Sequence, residues 1–93
     1  MSLSLETRIK HGPDIVMSDL DGAAVLLNPN SNEYFGLNRV GSRIWGLIEE
    51  ERSIGDIIQT LQSEFDVELT TCEKEVFDFV SESVDAKVVE TTA

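Results

Sequence analysis

Residues 19–38 read DLDGAAVLLNPNSNEYFGLN, and the reading of its two polar clusters decides whether the fold opens with a sheet or with a cation-binding loop. A calcium loop of the EF-hand type needs oxygen ligands at positions 1, 3 and 5, Gly at 6 and Glu at 12. Counted from Asp19, positions 5 and 6 are Ala23 and Ala24; counted from Asn28, Glu33 replaces the Gly and Arg39 replaces the Glu. Neither register suits a cation. As turns, both clusters work. Asp21-Gly22 supplies two residues tolerant of positive φ for a two-residue hairpin loop. In NPNSN, Pro29 fixes φ while Asn and Ser side chains bond nearby backbone. Ile15–Leu20, Ala24–Leu27 and Glu33–Leu37 then form a three-stranded antiparallel meander. Alternation along its last strand turns Phe35 and Leu37 toward the helices, and Tyr34 and Gly36 away from them.

From Asn38 the apolar period lengthens to that of a helix. Val40, Ile44, Leu47 and Ile48 share a stripe with Trp45, a core residue, beside it, and Asn38 is placed to cap the N-terminus. Gly41 and Gly46 lower helix propensity and mark a close approach or a weak spot. Ser53, with Asp56 three residues on, caps a second helix with a core stripe of Ile54, Ile57, Ile58, Leu61 and Phe65. Thr70 and Glu73 form a T-x-x-E box expected to open the third helix. There Cys72, Val76 and Phe79 line one side while Phe77, Val80 and Val84 line an overlapping neighbour, an apolar arc broader than one packing contact requires. It serves either the core alone or the core and a groove. AKVVE near the end forms a short strand or a frayed terminus. The fold class is α+β, a three-stranded sheet followed by three helices. Residues 14–90 form the domain; residues 1–13 are a mobile lead-in with an opening Met-Ser-Leu extraneous to the fold, and residues 91–93 are a tail.

A chain of 93 residues has room for one core, burying about 60–65 per cent of its unfolded surface. Residues 1–43 carry four basic and five acidic side chains, and residues 44–93 carry three and thirteen, so the second half holds nearly all of the net −11. That surface repels phosphate backbones, which argues against a nucleic-acid partner. No apolar run is long enough for a bilayer, so no membrane partner is expected. The N-terminus lacks the apolar segment of a signal peptide, and a lone Cys72 makes neither an internal disulfide nor a zinc site. A cytoplasmic setting follows as the expectation.

Catalytic machinery is sparse. The one histidine, His11, sits next to Gly12-Pro13 in the lead-in and reads as an exposed tail residue. Cys72 falls within the apolar pattern of the third helix and reads as a packed side chain, not a nucleophile. No phosphate loop, metal-binding Cys/His set or cofactor fingerprint is present, so no cofactor is expected. Carboxylates without a fixed pair and a pocket assign no acid or base. The chain therefore reads as a non-enzyme. An acyl carrier protein would also be small, acidic and helical. Its Asp-Ser-Leu context is ERSIG here, however, and three strands do not fit it.

Taken together, Tyr34, Phe35, Leu37, Asn38, Gly41, Ile44, Trp45 and Glu49, followed by SIGDII and LQSEFDV, resemble the PqqD-like family, which includes the stand-alone leader-binding proteins of lasso-peptide biosynthesis. The resemblance spans about residues 14–90. At SVDAKVVE the chain departs from it, since the family more often has a Leu-rich helix end and a Gly before the last strand. The resemblance implies a winged helix-turn-helix-like recognition element for ribosomally made, modified peptides. Such elements bind the leader of a precursor peptide and present it to a maturation enzyme, such as a radical SAM protein or a leader protease. The leader adds as a strand beside the third strand, with side chains entering a groove against the third helix.

The residues support this at two points. Glu33, Tyr34, Phe35, Gly36 and Leu37 form the meander's last strand, whose free edge is a template for strand addition; the same edge would equally serve a homodimer. Phe77, Val80 and Val84 are the candidates for groove lining, with Glu73, Asp78, Glu82 and Asp85 alongside to favour a basic leader. Arg39 and Arg43 share a face of the first helix and are expected to pair with the chain's own acids. A DNA-binding or regulatory winged helix is the rival class. Its recognition helix would carry Glu73, Glu75, Asp78, Glu82 and Asp85 against Lys74 alone, whereas phosphate contact requires Lys and Arg.

Overall fold

A computed structural model describes residues 3–20 and 23–92, with Leu20 and Ala23 as backbone alone. The described elements are β1 (Arg8–His11), β2 (Val16–Leu20), β3 (Ala23–Asn28), β4 (Glu33–Leu37), α1 (Arg39–Leu47), β5 (Arg52–Ser53), α2 (Ile54–Glu64), α3 (Leu69–Asp85) and β6 (Val89–Thr92). The α+β arrangement expected from the sequence is present. Strands β2, β3 and β4 pair antiparallel in that order, with Leu26 opposite Phe35 and Leu27 opposite Tyr34. The Asp21-Gly22 turn lies outside the described residues. In the second turn Asn28 Oδ1 accepts from the Asn30 N–H at 3.0 Å, and Asn32 takes the left-handed region at φ 58° that asparagine tolerates.

The lead-in is a correction to the sequence reading. Residues 8–11 form β1, the centre of a second antiparallel sheet with order β5-β1-β6. AKVVE accordingly ends in a strand and not in a frayed terminus. Only Ile9 in β1 is apolar, and it is fully buried. His11 is not an exposed tail residue either. Its ring lies parallel to Trp45, with centroids 3.5 Å apart and an interplanar angle of 8°. Its Nε2 donates to the Trp45 carbonyl at 2.7 Å, so the imidazole closes α1's end instead of standing free for chemistry.

Close backbone packing joins the chain's two ends. A Cβ on Gly12 would stand 3.1 Å from the carbonyl oxygens of both Lys87 and Val88, and the Gly12 N–H donates to Val88. Lys87 takes the left-handed position after α3 at φ 62°, where glycine is the usual residue at a helix end. Asn28, itself buried, donates from Nδ2 to the Lys87 carbonyl at 2.9 Å. That bond ties the end of α3 to the meander and helps to offset the strained backbone of a non-glycine residue there.

Two of the three expected caps are formed. Asn38 Oδ1 accepts from the Gly41 N–H at 2.7 Å, and Ser53 Oγ accepts from the Asp56 N–H at 3.1 Å. At the far end of α1, Arg52 donates to the Leu47 carbonyl, placing a cation where the helix leaves acceptors unpaired. The third cap is corrected: α3 begins at Leu69 after Glu68, with no side-chain cap bond, so Thr70 lies inside the helix. Ile44, Ile48, Ile54, Ile57, Val76 and Val80 are fully buried in one core with Leu26 and Leu37 of the meander and Ile9 and Val89 of the second sheet. Because the Asn38 cap lies at the β4–α1 junction, Asn38→Ala is expected to remove about 1 kcal/mol of stability, read as a lower urea midpoint at unchanged m value.

Candidate functional site

Strand β4 pairs with β3 on one side and, among the described residues, with nothing on the other. Its side chains alternate as the pleat requires. Leu37 is buried, Phe35 is half-buried, and Tyr34 and Gly36 are exposed, Tyr34 by 70%. Beside this free edge runs a cleft of about 490 Å³. The strand side contributes Ala24, Val25, Phe35, Gly36 and Leu37; the start of α1 contributes Asn38, Val40 and Gly41; α3 contributes Glu75, Asp78, Phe79 and Glu82.

The floor of the cleft is an aromatic pair. Phe35 and Phe79 meet edge to face at 5.7 Å and 80°, a favoured quadrupole arrangement. Gly41 makes room for it, since a Cβ there would lie 3.1 Å from Phe79 Cε1 and 3.3 Å from the capping oxygen of Asn38. The glycine that weakens the helix pattern therefore marks the approach of Phe79.

The α3 lining differs from the expected one. Val80 is fully buried in the core and Val84 lines a different cleft, while Phe77 is half-buried against the core away from the groove. Helix geometry explains this. The buried stripe of α3 is Cys72, Val76, Val80 and Ser83. At about 100° per residue, Phe79, Glu75 and Glu82 fall on one flank of that stripe, and Phe77 and Val84 fall on the other. Two overlapping stripes left both flanks open in the sequence; the vacancy at Gly41 was the signal that could have chosen between them.

The wall contributed by α3 is acidic and has almost no internal counter-charge. Arg43 makes a two-pronged bond to Glu64, at 2.7 and 2.6 Å, and holds that carboxyl below the ordinary glutamate range. Arg39 lies over the Phe65 ring at 5.1 Å. The expected pairing with the chain's own acids is thus formed by Arg43, while Arg39 takes an aromatic partner. Among the described residues, only Lys74 meets a groove carboxylate, Asp78, at 2.9 Å in an exposed pair. Cys72 is buried, its thiol pushed up by that burial and by Glu75 and Glu73, which keeps it protonated and unreactive.

A second cleft of about 620 Å³ adjoins β6, an edge strand of the other sheet with no further partner among the described residues, and is lined by Pro13, Asn28, Asn30, Val84, Lys87, Val89, Glu90 and Thr91. Although larger, it lacks aromatic anchors, and the Asn28 amide is already engaged with Lys87 and Asn30. The β4 cleft is the better receptor for an extended chain, combining five residues of free edge with an aromatic floor.

No curated protein matches the chain. Among solved structures, it is similar to one described as TbiB1 in complex with the TbiA(beta) leader peptide, at 33% identity and a TM-score of 0.76, covering 90% of this chain and 98% of the other. It is also similar to lasso peptide synthetase B1 complexed with the leader peptide, at 29% identity and a TM-score of 0.72, covering 91% and 98%. Residues 23–89, which run from β3 through the cleft to β6, match the model for coenzyme PQQ synthesis protein D, and the chain belongs to that PqqD family.

Proposed function

We propose that this chain is a non-catalytic carrier that holds the leader segment of a ribosomally made precursor peptide as an added strand on β4 and delivers it to a maturation enzyme. The observation that carries this reading is the free β4 edge running beside an aromatic-floored cleft. Main-chain pairing along Glu33–Leu37 supplies affinity that is largely indifferent to sequence, and the cleft selects side chains at every second leader position. Membership of the PqqD family and likeness to two proteins solved with leader peptides support the same reading. A non-catalytic role is supported by the two most reactive side chains, since His11 is bound into α1's end and Cys72 is a buried thiol.

The test is an amide NMR titration with the leader of a precursor encoded beside this chain's gene. Shifts are expected to concentrate at Glu33–Leu37 and along α3 between Glu75 and Glu82, with β1 and β6 unmoved. Shifts confined to β6 would relocate the site and overturn the assignment to β4.

A further inference from the structure

Resting on the strand-addition reading, we propose that the groove selects leaders carrying a basic–x–apolar–x–basic pattern on the strand face that meets α3. Glu75, Phe79 and Glu82 follow one another at i, i+4 and i+7 along one flank of the helix, so an apolar anchor point has a carboxylate on each side, with Asp78 next to it. From Glu75 to Glu82 the helix rises about 10.5 Å. Same-face residues of an extended strand are about 6.7 Å apart, so positions n and n+4 span about 13 Å with n+2 midway. An aliphatic or aromatic residue at n+2 therefore packs on Phe79 and Phe35 while Lys or Arg at n and n+4 reaches the two glutamates.

The charge argument is one of complementarity. Lys74 pairs with Asp78 on the same helix, beside Glu75, and the nearby arginines are engaged elsewhere: Arg43 on Glu64, Arg39 over Phe65, Arg52 on the Leu47 carbonyl and Arg8 on Glu51. The strand and α1 walls of the cleft contribute no charged side chain, so among the described lining residues the glutamates have no counter-ion across the groove. A second copy of the chain is a poor occupant, because its β4 would bring Glu33 and a net charge of −11 against the same carboxylates. A peptide with two well-spaced cations fits where a like-charged protein does not.

The experiment is display selection of a fully randomised linear peptide library against the wild-type chain, Glu75→Gln/Glu82→Gln and Gly36→Pro. The wild type is expected to enrich Lys or Arg at n and n+4 around an apolar n+2. Glu75→Gln/Glu82→Gln should still select extended apolar peptides but lose the basic enrichment, and should bind the best wild-type peptide about tenfold more weakly at low ionic strength, with a flatter salt dependence. If wild-type peptides depend on Gly36 but show no basic enrichment, the charge pattern is overturned and strand addition stands. If no selected peptide is sensitive to Gly36→Pro, strand addition itself fails, and the pattern with it.

Discussion

Gly36→Pro lowers leader affinity by about thirtyfold or more, read by fluorescence anisotropy of a labelled leader, while the far-ultraviolet circular dichroism spectrum is unchanged. Gly36 is the fourth of the five β4 residues and opposes Val25 of β3. Proline removes its N–H and fixes φ near −65°, which bends the strand away from the straight margin an added chain must follow. Losing one or two main-chain bonds at about 1 kcal/mol each, together with the bend, gives a loss of this size. Nothing lies within 4 Å of a Cβ at this position, so the substitution meets no obstacle inside the fold, and proline is tolerated on edge strands. Gly36→Ala enters the same open space and keeps the N–H; it should bind within about twofold of the wild type. A leader N-methylated at successive positions offers an independent check, with losses at every second residue. Unchanged affinity for Gly36→Pro would remove β4 from the binding mode.

The edge strand was legible from local sequence alone, because its residues are set by turn chemistry at NPNSN, by alternation at Phe35 and Leu37, and by the Asn38 cap that stops the strand and starts α1. Strand β1 was not legible. Its partners are residues 52–53 and 89–92, far along the chain, and with Ile9 as its sole apolar residue it carries no periodic signal; tertiary pairing overrides local composition there. The same non-local contacts explain His11, whose stack on Trp45 depends on β1 being in place. On α3 the helix and the width of its apolar arc were legible, but its rotation about its axis was not. That rotation is fixed by the burial of Cys72, Val76, Val80 and Ser83, and it decides which of two flanks on either side of that stripe faces the groove.

Two phenylalanines two residues apart on α3 therefore separate binding from folding. Phe79→Ala removes half of the cleft floor, leaves Phe35 without its edge-to-face partner and vacates the space opposite Gly41. Leader affinity is expected to fall about tenfold or more, the scale of losing a central anchor pocket. Stability should fall by about 1–3 kcal/mol, below the range for a fully buried phenylalanine because Phe79 is half-buried. Phe77→Ala removes a side chain of the same size and similar exposure from the opposite flank, about 160° away around the helix axis. Its stability loss should be comparable, with leader affinity within about twofold of the wild type when measured where both variants are folded. Urea denaturation supplies the stabilities and anisotropy the affinities, so a general weakening of the fold shows in both variants and a groove effect in one. Equal affinity losses would mean that α3 reports only its packing, and the cleft between α3 and β4 would lose its claim to the leader's side chains.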